Sequence, residues 1–251
     1  MLYFKPMTIH SLIFDFDGLI LDTETPELDA WKSIYIEHGF EYPLELAVQN
    51  VGLWGVPRFD PAEHLHELSH NSLDIETLRT RHREESNALV LRKSVMAGVV
   101  DIISSAQKRG LRLAIASSSE RWWVESHLSR LGLIQHFNPI VCGDDVPPGR
   151  TKPHPDIYLK ALSLLQIRAD QAIALEDSSY GVAAAHAAGI FVVAALNPAT
   201  ALVKMEHADL TVDSLAHVSL ERILGQMIAR QGQEEHPHLL SEDSEVGRLV
   251  N

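Results

Sequence analysis

The chain has 251 residues, 45% hydrophobic and 22% charged, with a formal charge of −13, a composition ordinary for a globular protein of one large domain or of a core domain with a smaller one inserted. The acidic balance argues against nucleic acid and anionic membrane as partners, because both reward clustered Lys and Arg. No window reaches the roughly 18 to 20 apolar residues of a membrane span, Met1–His10 shows no signal-peptide pattern, and the single cysteine, Cys142, fits a reducing compartment. A cytoplasmic monomer is expected, with Cys142 a buried strand-end residue rather than a nucleophile.

In chain order, the first element is the apolar strand Leu12–Phe16, which runs into Asp15-Phe16-Asp17-Gly18. Strand side chains alternate, so Asp15 and Asp17 are expected to face the same way at the strand end. Two adjacent carboxylates repel each other and are costly to desolvate. A divalent cation removes the conflict, and Mg²⁺ favours one or two carboxylates together with phosphate oxygens. Gly18 lets the backbone turn and approach a ligand closely. A plain acidic turn, or the metal-binding Asp-x-Asp of a sugar-nucleotide transferase, would read the same way at this stretch alone.

From Gly18 to Gly98 about 80 residues intervene, where a crossover between parallel strands needs only about 12 to 30. The stretch carries helix signals and no convincing strand. Thr25-Pro26 reads as N-cap and N1 ahead of Leu28, Trp31, Ile34 and Tyr35, with Gly39 as a stop. Asp60-Pro61-Ala62-Glu63 resembles a capping box ahead of Leu65 and Leu68, and Asp74–Lys93 forms a third, charge-rich helix. Residues 21–94 are therefore expected to form a helical cap inserted into a core made of residues 8–20 and 95–230. In that core, strands are expected at Leu111–Ala116, Pro139–Cys142, Ala172–Leu175 and Ile190–Leu196. Helices are expected at Val99–Arg109, Arg121–Leu131 and Gly181–Ala188, each stopped by a glycine. This alternation predicts an α/β fold, a Rossmann-like parallel sheet with helices on both faces, whose ligands bind beyond the carboxyl ends of the strands. Residues 231–251 read as a flexible tail.

Three further signals fall at those strand ends. Ser117-Ser118-Ser119 follows Ala116, and a hydroxyl there, with the free N–H groups of a helix start, can hold an anion. All three are also N-cap candidates for the helix at Arg121; Ser119 suits that role best, leaving Ser117 free. Lys152 stands in a proline-stiffened loop, Lys152-Pro153-His154-Pro155, with His154 facing solvent. Glu176-Asp177 ends the run Ala172–Leu175, a second pair of acids able to complete a metal site, although Asp177 could instead cap the helix near Ser179. His66 and His70, four apart, share a helix face and could chelate Zn²⁺, but no third ligand is evident. Trp122 and Trp123 read as helix packing.

The order Asp-x-Asp, Ser, Lys, Glu-Asp at successive strand ends resembles the haloacid dehalogenase superfamily of Mg²⁺-dependent phosphohydrolases, from about Ser11 to Asp213. The stretch Asp15-Phe16-Asp17-Gly18-Leu19-Ile20-Leu21-Asp22-Thr23-Glu24 is its most specific part. It is similar to the subgroup with a small helical cap, which includes β-phosphoglucomutases and sugar-phosphate phosphatases. The resemblance implies Asp15 as nucleophile and Asp17 as general acid/base, its backbone carbonyl also binding Mg²⁺. It implies Ser117, with Ser118 beside it, and Lys152 as phosphate ligands, and Asp15, Asp17, Glu176 and Asp177 as the metal site. In the mutases the first cap helix carries a histidine where this chain has Glu27, and the cap-loop arginine is displaced to Arg58 beyond Gly52-Leu53-Trp54-Gly55. The implied activity is a phosphatase on a small phosphorylated metabolite of the sugar-phosphate class. A phosphohexomutase and a non-catalytic ligand binder are the alternatives. Glu27 and Trp54 are the substrate candidates contributed by the cap.

Overall fold

The computed structural model describes residues 9–50, 59–201 and 203–235. Among them, six strands form one parallel sheet: β1 (Ser11–Phe14), β2 (Arg112–Ala116), β3 (Ile140–Val141), β4 (Ala172–Glu176), β5 (Phe191–Ala195) and β6 (Leu210–Val212). The spatial order is β3-β2-β1-β4-β5-β6, so β1 lies inside the sheet, flanked by β2 and β4. A parallel strand covered on both faces is close to continuously apolar; β1 is buried at all four positions, and its one polar residue, Ser11, donates to the Arg112 carbonyl at 2.8 Å.

Alternation along the strands sorts the core into two layers. Leu12, Phe14, Leu113, Ile115, Ile173, Leu175 and Val193 face one side. There they pack against α5 (Val99–Lys108), α6 (Arg121–Arg130) and α9 (Leu220–Glu235). Ile13, Ala114, Ala116, Ala172, Ala174 and Ala194 face the other side, against α7 (Asp156–Leu165) and α8 (Ser179–Ala187). The second layer is built largely of alanine on both sheet and helix, including Ala184 and Ala185, so the α8 backbone can approach the sheet closely.

The long connection after β1 contains four helices among its described residues: α1 (Glu24–Glu37), α2 (Leu44–Asn50), α3 (Pro61–Leu68) and α4 (Ile75–Val90). They bury a cluster of their own around Trp31, Ile34, Tyr35, Tyr42, Leu65 and Leu78. The two chain crossings into this insertion are tied together. Leu21 bridges to Val95, the Lys93 ammonium meets Asp22 at 2.7 Å, and Arg130 of α6 donates to the carbonyls of Lys93 and Val90.

Several local expectations are corrected. Helix α1 starts two residues earlier than its Thr-Pro signal suggests; its N-cap is Thr23, and the Asp22 carboxylate accepts from the Thr25 N–H at 3.0 Å. Strand β6 and helices α2, α7 and α9 lie outside the expected elements. The strand β6 is a three-residue edge with an exposed threonine in its middle, too short to show an alternating pattern. Helix α9 runs to Glu235, so the segment read as tail begins as helix. No helix is long and apolar enough to cross a membrane among the described residues.

Asp60 illustrates how the insertion holds its shape. Its Oδ1 caps α3 by accepting from the N–H groups of Ala62 (2.8 Å) and Glu63 (3.2 Å), while Oδ2 meets Arg79 of α4 at 2.6 Å. Burial raises this carboxyl, but Arg79 and the two N–H groups outweigh it and leave the group below its ordinary value. Its stabilisation is therefore present above the unfolded pKa and lost as pH falls through the lower folded value. Asp60→Ala is expected to cost about 1 kcal/mol of urea-unfolding stability at neutral pH, and the gap to wild type should narrow as pH is lowered from about 5 toward 2. A gap that stays constant with pH would show that the carboxylate charge contributes nothing.

Candidate active site

The β1 strand ends at Phe14, and the Asp15 N–H still bonds the Leu175 carbonyl of β4 at 2.9 Å. The chain then turns back on itself, the Gly18 N–H reaching the Leu21 carbonyl at 2.8 Å. Gly18 has φ +75°, and a Cβ there would overlap Oδ2 of Asp177, so only glycine lets this turn approach the end of β4. Asn197, just beyond β5, fastens the approach. Its side-chain amide donates to the Gly18 carbonyl at 3.0 Å and to Asp177 Oδ2 at 2.8 Å.

Lys152 enters the space between the strand ends and is bonded twice, to Asp15 Oδ1 at 2.6 Å and to Glu176 Oε1 at 2.6 Å. The three side chains are 5%, 8% and 0% exposed, respectively. Tyr158 donates its hydroxyl to Glu176, and Gly181 at the start of α8 leaves the room that the Glu176 carboxylate fills. Burial alone would lower the Lys152 ammonium, but its two carboxylate partners more than reverse this and raise it. Burial, then repulsion from Glu176, pushes Asp15 up to about 7 despite the lysine.

One cation therefore serves several buried acids. Oxygens of Asp15, Glu176 and Asp177 lie within 4.8 Å of one another, and Asp177 Oδ1 is buried without a hydrogen-bond partner. Asp177 is held well above the ordinary carboxyl range by burial, then by Asp15, Glu176 and Glu24. A converging set of hard oxygen donors with one unused oxygen fits a divalent cation of the Mg²⁺ type. Among the described residues this is the one group of three side chains able to hold a metal ion. The histidine pair belongs to no such group: α3 ends at Leu68 and His70 has φ +55°, so His66 and His70 do not share a helix face.

The Asp17 side chain stands apart from this trio. Strand alternation does not extend past Phe14, and the carboxylate turns toward the loop after β2. Oδ1 accepts from Trp123 Nε1 at 2.9 Å, and Oδ2 accepts from Ser119 Oγ at 2.6 Å and Ser117 Oγ at 3.4 Å. Ser119 is thus not the N-cap of α6. That position belongs to Glu120, which makes no side-chain cap, and the Arg121 N–H is met instead by Asp144 at 2.9 Å. Ser117 is buried and accepts from the Ser119 N–H at 3.1 Å, whereas Ser118 is exposed. Asp177 does not cap α8 either; Ser178 does, accepting from the Gly181 N–H. Trp123 was read as packing, and its indole N–H proves to be a ligand of Asp17.

A cavity of about 340 Å³ opens beside Asp17, lined by Thr23, Glu24 and Glu27 of the insertion and by Ser119, Glu120, Trp122 and Trp123 of the core. Among the described residues, its wall carries four carboxyl groups and no Lys, Arg or His. Burial, then Glu27 and the aspartates nearby, raises Glu24 to about 7. Trp122 is 62% exposed. Glu27 is thereby brought to the mouth of the site, whereas Trp54 lies outside the described residues. Sequence reasoning missed Ser119, Glu120, Trp123, Tyr158 and Asn197 as members of the site. The Leu196-Asn197-Pro198 turn at a strand end is the one local signal that could have pointed to any of them.

Residues 12–195 match the family model described as haloacid dehalogenase-like hydrolase. The protein YhcW of Bacillus subtilis (strain 168) is 36% identical over 216 residues, covering 86% of this chain and 96% of its own. The fructose-1-phosphate phosphatase YqaB of Escherichia coli (strain K12) is 31% identical over 179 residues, 71% of this chain and 92% of its own. Among solved structures, a family hydrolase of Deinococcus radiodurans R1, crystallised with bound phosphate and sodium, superposes with a TM-score of 0.71 at 26% identity, covering 88% of this chain and 97% of that one.

Charge crowding at Asp15, Glu176 and Asp177 makes a prediction without any substrate. In the presence of EDTA, Asp177→Asn is expected to melt at a higher temperature than wild type, since it removes one of the mutually repelling charges. Mg²⁺ should stabilise the wild type by about 2.7 kcal/mol at a hundredfold excess over its Kd and the variant far less. Equal Mg²⁺ stabilisation of both proteins, read by differential scanning calorimetry, would remove Asp177 from the metal site.

Proposed function

The chain belongs to the haloacid dehalogenase-like hydrolase family, and within it we propose that it is a Mg²⁺-dependent phosphatase acting on the monophosphate of a small polyol, a sugar phosphate in the first instance. The observation that carries the reading is the buried Lys152, bonded to both Asp15 and Glu176 and facing the metal-suited trio. A phosphate dianion cannot approach a bare carboxylate, and Lys152 supplies the fixed positive charge that the encounter needs. When bound, held by Asp15, Asp177, Glu176 and the Asp17 backbone carbonyl, Mg²⁺ supplies further neutralisation of the phosphoryl oxygens.

The residues then divide the work. An Asp15 oxygen attacks phosphorus, the bond to the leaving oxygen breaks, and Asp17 donates a proton to that oxygen, leaving an aspartyl-phosphate on Asp15. Water attacks the phosphorus of this intermediate, Asp17 takes its proton, and inorganic phosphate and free Asp15 result. Ser117, just past β2, with Ser118 beside it, is assigned to a phosphoryl oxygen. Glu176, tied to Tyr158 and Lys152, keeps the ammonium aimed at Asp15.

The cavity favours hydrolysis over phosphoryl transfer between sugar positions. A mutase must lodge a bisphosphate, whose second dianion would meet, among the described lining residues, Glu24, Glu27 and Glu120. Each pair of like unit charges at 4 Å costs about 4 kcal/mol at an effective dielectric of 20. Hydroxyl groups, by contrast, can donate to those carboxylates. The relative YqaB is named for such a substrate, fructose 1-phosphate.

A panel of sugar monophosphates with Mg²⁺ tests the reading directly. Release of inorganic phosphate, abolished in Asp15→Asn, is the expected result; turnover no higher in wild type than in Asp15→Asn across the panel would mean that the protein only binds its ligand. Isomer formation dependent on a bisphosphate would instead make it a mutase. Glu27→Gln is expected to lower kcat/KM on the preferred sugar phosphate about tenfold, about 1.4 kcal/mol. It should barely change hydrolysis of p-nitrophenyl phosphate, which has no hydroxyls to donate. Unchanged kinetics on both substrates, with slightly lower thermal stability, would reduce Glu27 to a helix-end charge.

A further inference from the structure

Both oxygens of Asp17 are engaged, and their partners differ in kind. Oδ1 accepts from an indole N–H, which can only donate; Oδ2 accepts from serine hydroxyls, which can donate or accept. A carboxylic acid carries its proton on one oxygen, and its other, carbonyl-type oxygen is the better acceptor, so a fixed N–H donor at Oδ1 favours the acid form with the proton on Oδ2. We infer that Trp123 is a positioning residue that keeps Asp17 Oδ1 as a permanent acceptor, so that Oδ2 is the oxygen that gives and takes the catalytic proton. The inference rests on the acid/base role proposed above for Asp17.

The surroundings suit this division. Trp123 is braced on its own helix by the ring of His127, edge to face at 4.3 Å, and Arg130 donates to His127 Nδ1 at 3.3 Å, so the indole is held from behind. Its ring also lines the cavity that would take the leaving group, together with Ser119 and Asp17. In the acid form of Asp17, the Ser119 hydroxyl turns away from Oδ2, leaving the Oδ2–H aimed at the leaving oxygen. As the phosphorus–oxygen bond breaks, the Oδ2–H bond breaks too and the proton passes to the leaving oxygen. In the second step, a proton from the attacking water returns to Oδ2, and Ser119 turns back to donate. Throughout both steps the Trp123 N–H holds the carboxyl plane in one orientation.

The test is the dependence of rate on the leaving group, in the full chain with Mg²⁺. An alkyl phosphate needs the proton, whereas p-nitrophenyl phosphate leaves with little help. Trp123→Phe is expected to lower kcat on the alkyl phosphate about tenfold or more, with KM unchanged and kcat on p-nitrophenyl phosphate nearly preserved, which also shows that the variant is folded. Asp17→Asn, measured beside it, should discriminate in the same direction and more strongly. If Asp17→Asn slows both substrates equally, the acid/base reading itself fails. If Asp17→Asn discriminates while Trp123→Phe slows both equally, or neither, or speeds the alkyl phosphate, the role of Trp123 is overturned. Should Trp123→Phe not fold, Trp123→His retains a ring N–H donor and should keep the wild-type ratio between the two substrates; a ratio shifted as in Asp17→Asn overturns the inference.

Discussion

The double bond of Lys152 to Asp15 and Glu176 is the interaction around which the site is arranged. Removing an ammonium and two carboxylates from water is costly, and only close pairing makes it tolerable. The three residues come from the ends of two adjacent strands and an intervening loop, so the pairing also fixes β1 against β4 at their carboxyl ends. Asp177 adds a further buried acid beside them, with one oxygen unused. The cluster is therefore short of positive charge by construction, a condition suited to binding a divalent cation and a phosphate together.

Close packing makes the crowding possible. The alanine layer on the α7 and α8 side of the sheet lets α8 lie near the strands, and Gly181 at its first turn leaves space for the Glu176 carboxylate. On the other side of the site, Gly18 leaves space for Asp177, and Asn197 bridges the two. A methyl group at either glycine would occupy the position of a carboxylate oxygen. The core is thus shaped around its acids at both places, and the hydrogen bonds from Tyr158 and Asn197 hold those acids in single positions.

The site is also divided by charge. In the proposed reading, Lys152, Ser117 and the metal-suited trio form the phosphoryl end, and Glu24, Glu27 and Glu120 with two tryptophans form the leaving-group end. Asp17 lies at the junction, its carboxyl joined to the loop after β2. The insertion reaches this junction through α1, whose start is tied to the core by Asp22, Lys93 and Arg130. A change in how the insertion sits would therefore move Glu24 and Glu27 relative to Asp17, while leaving the phosphoryl end unaltered.

The parallel α/β core, the helical character of the long connection, the acids Asp15, Asp17, Glu176 and Asp177 and Ser117 near strand ends, and Lys152 in a proline-stiffened loop are all readable from local pattern. These were legible because buried strands are short apolar runs bounded by glycines, and because a strand end with acids has little structural reason to exist. Which partner each polar group takes is set by contacts between distant parts of the chain. Asp17 and Trp123 are 106 residues apart, Lys152 and Asp15 137 apart, and Asn197 and Gly18 179 apart, and no local pattern encodes such pairs. For the same reason Ser119 looked like a helix cap, whereas a carboxylate from another strand offers its hydroxyl a stronger, charge-assisted bond. The edge strand β6 stayed hidden because three residues, one of them exposed threonine, carry too little periodicity to distinguish a strand from a loop.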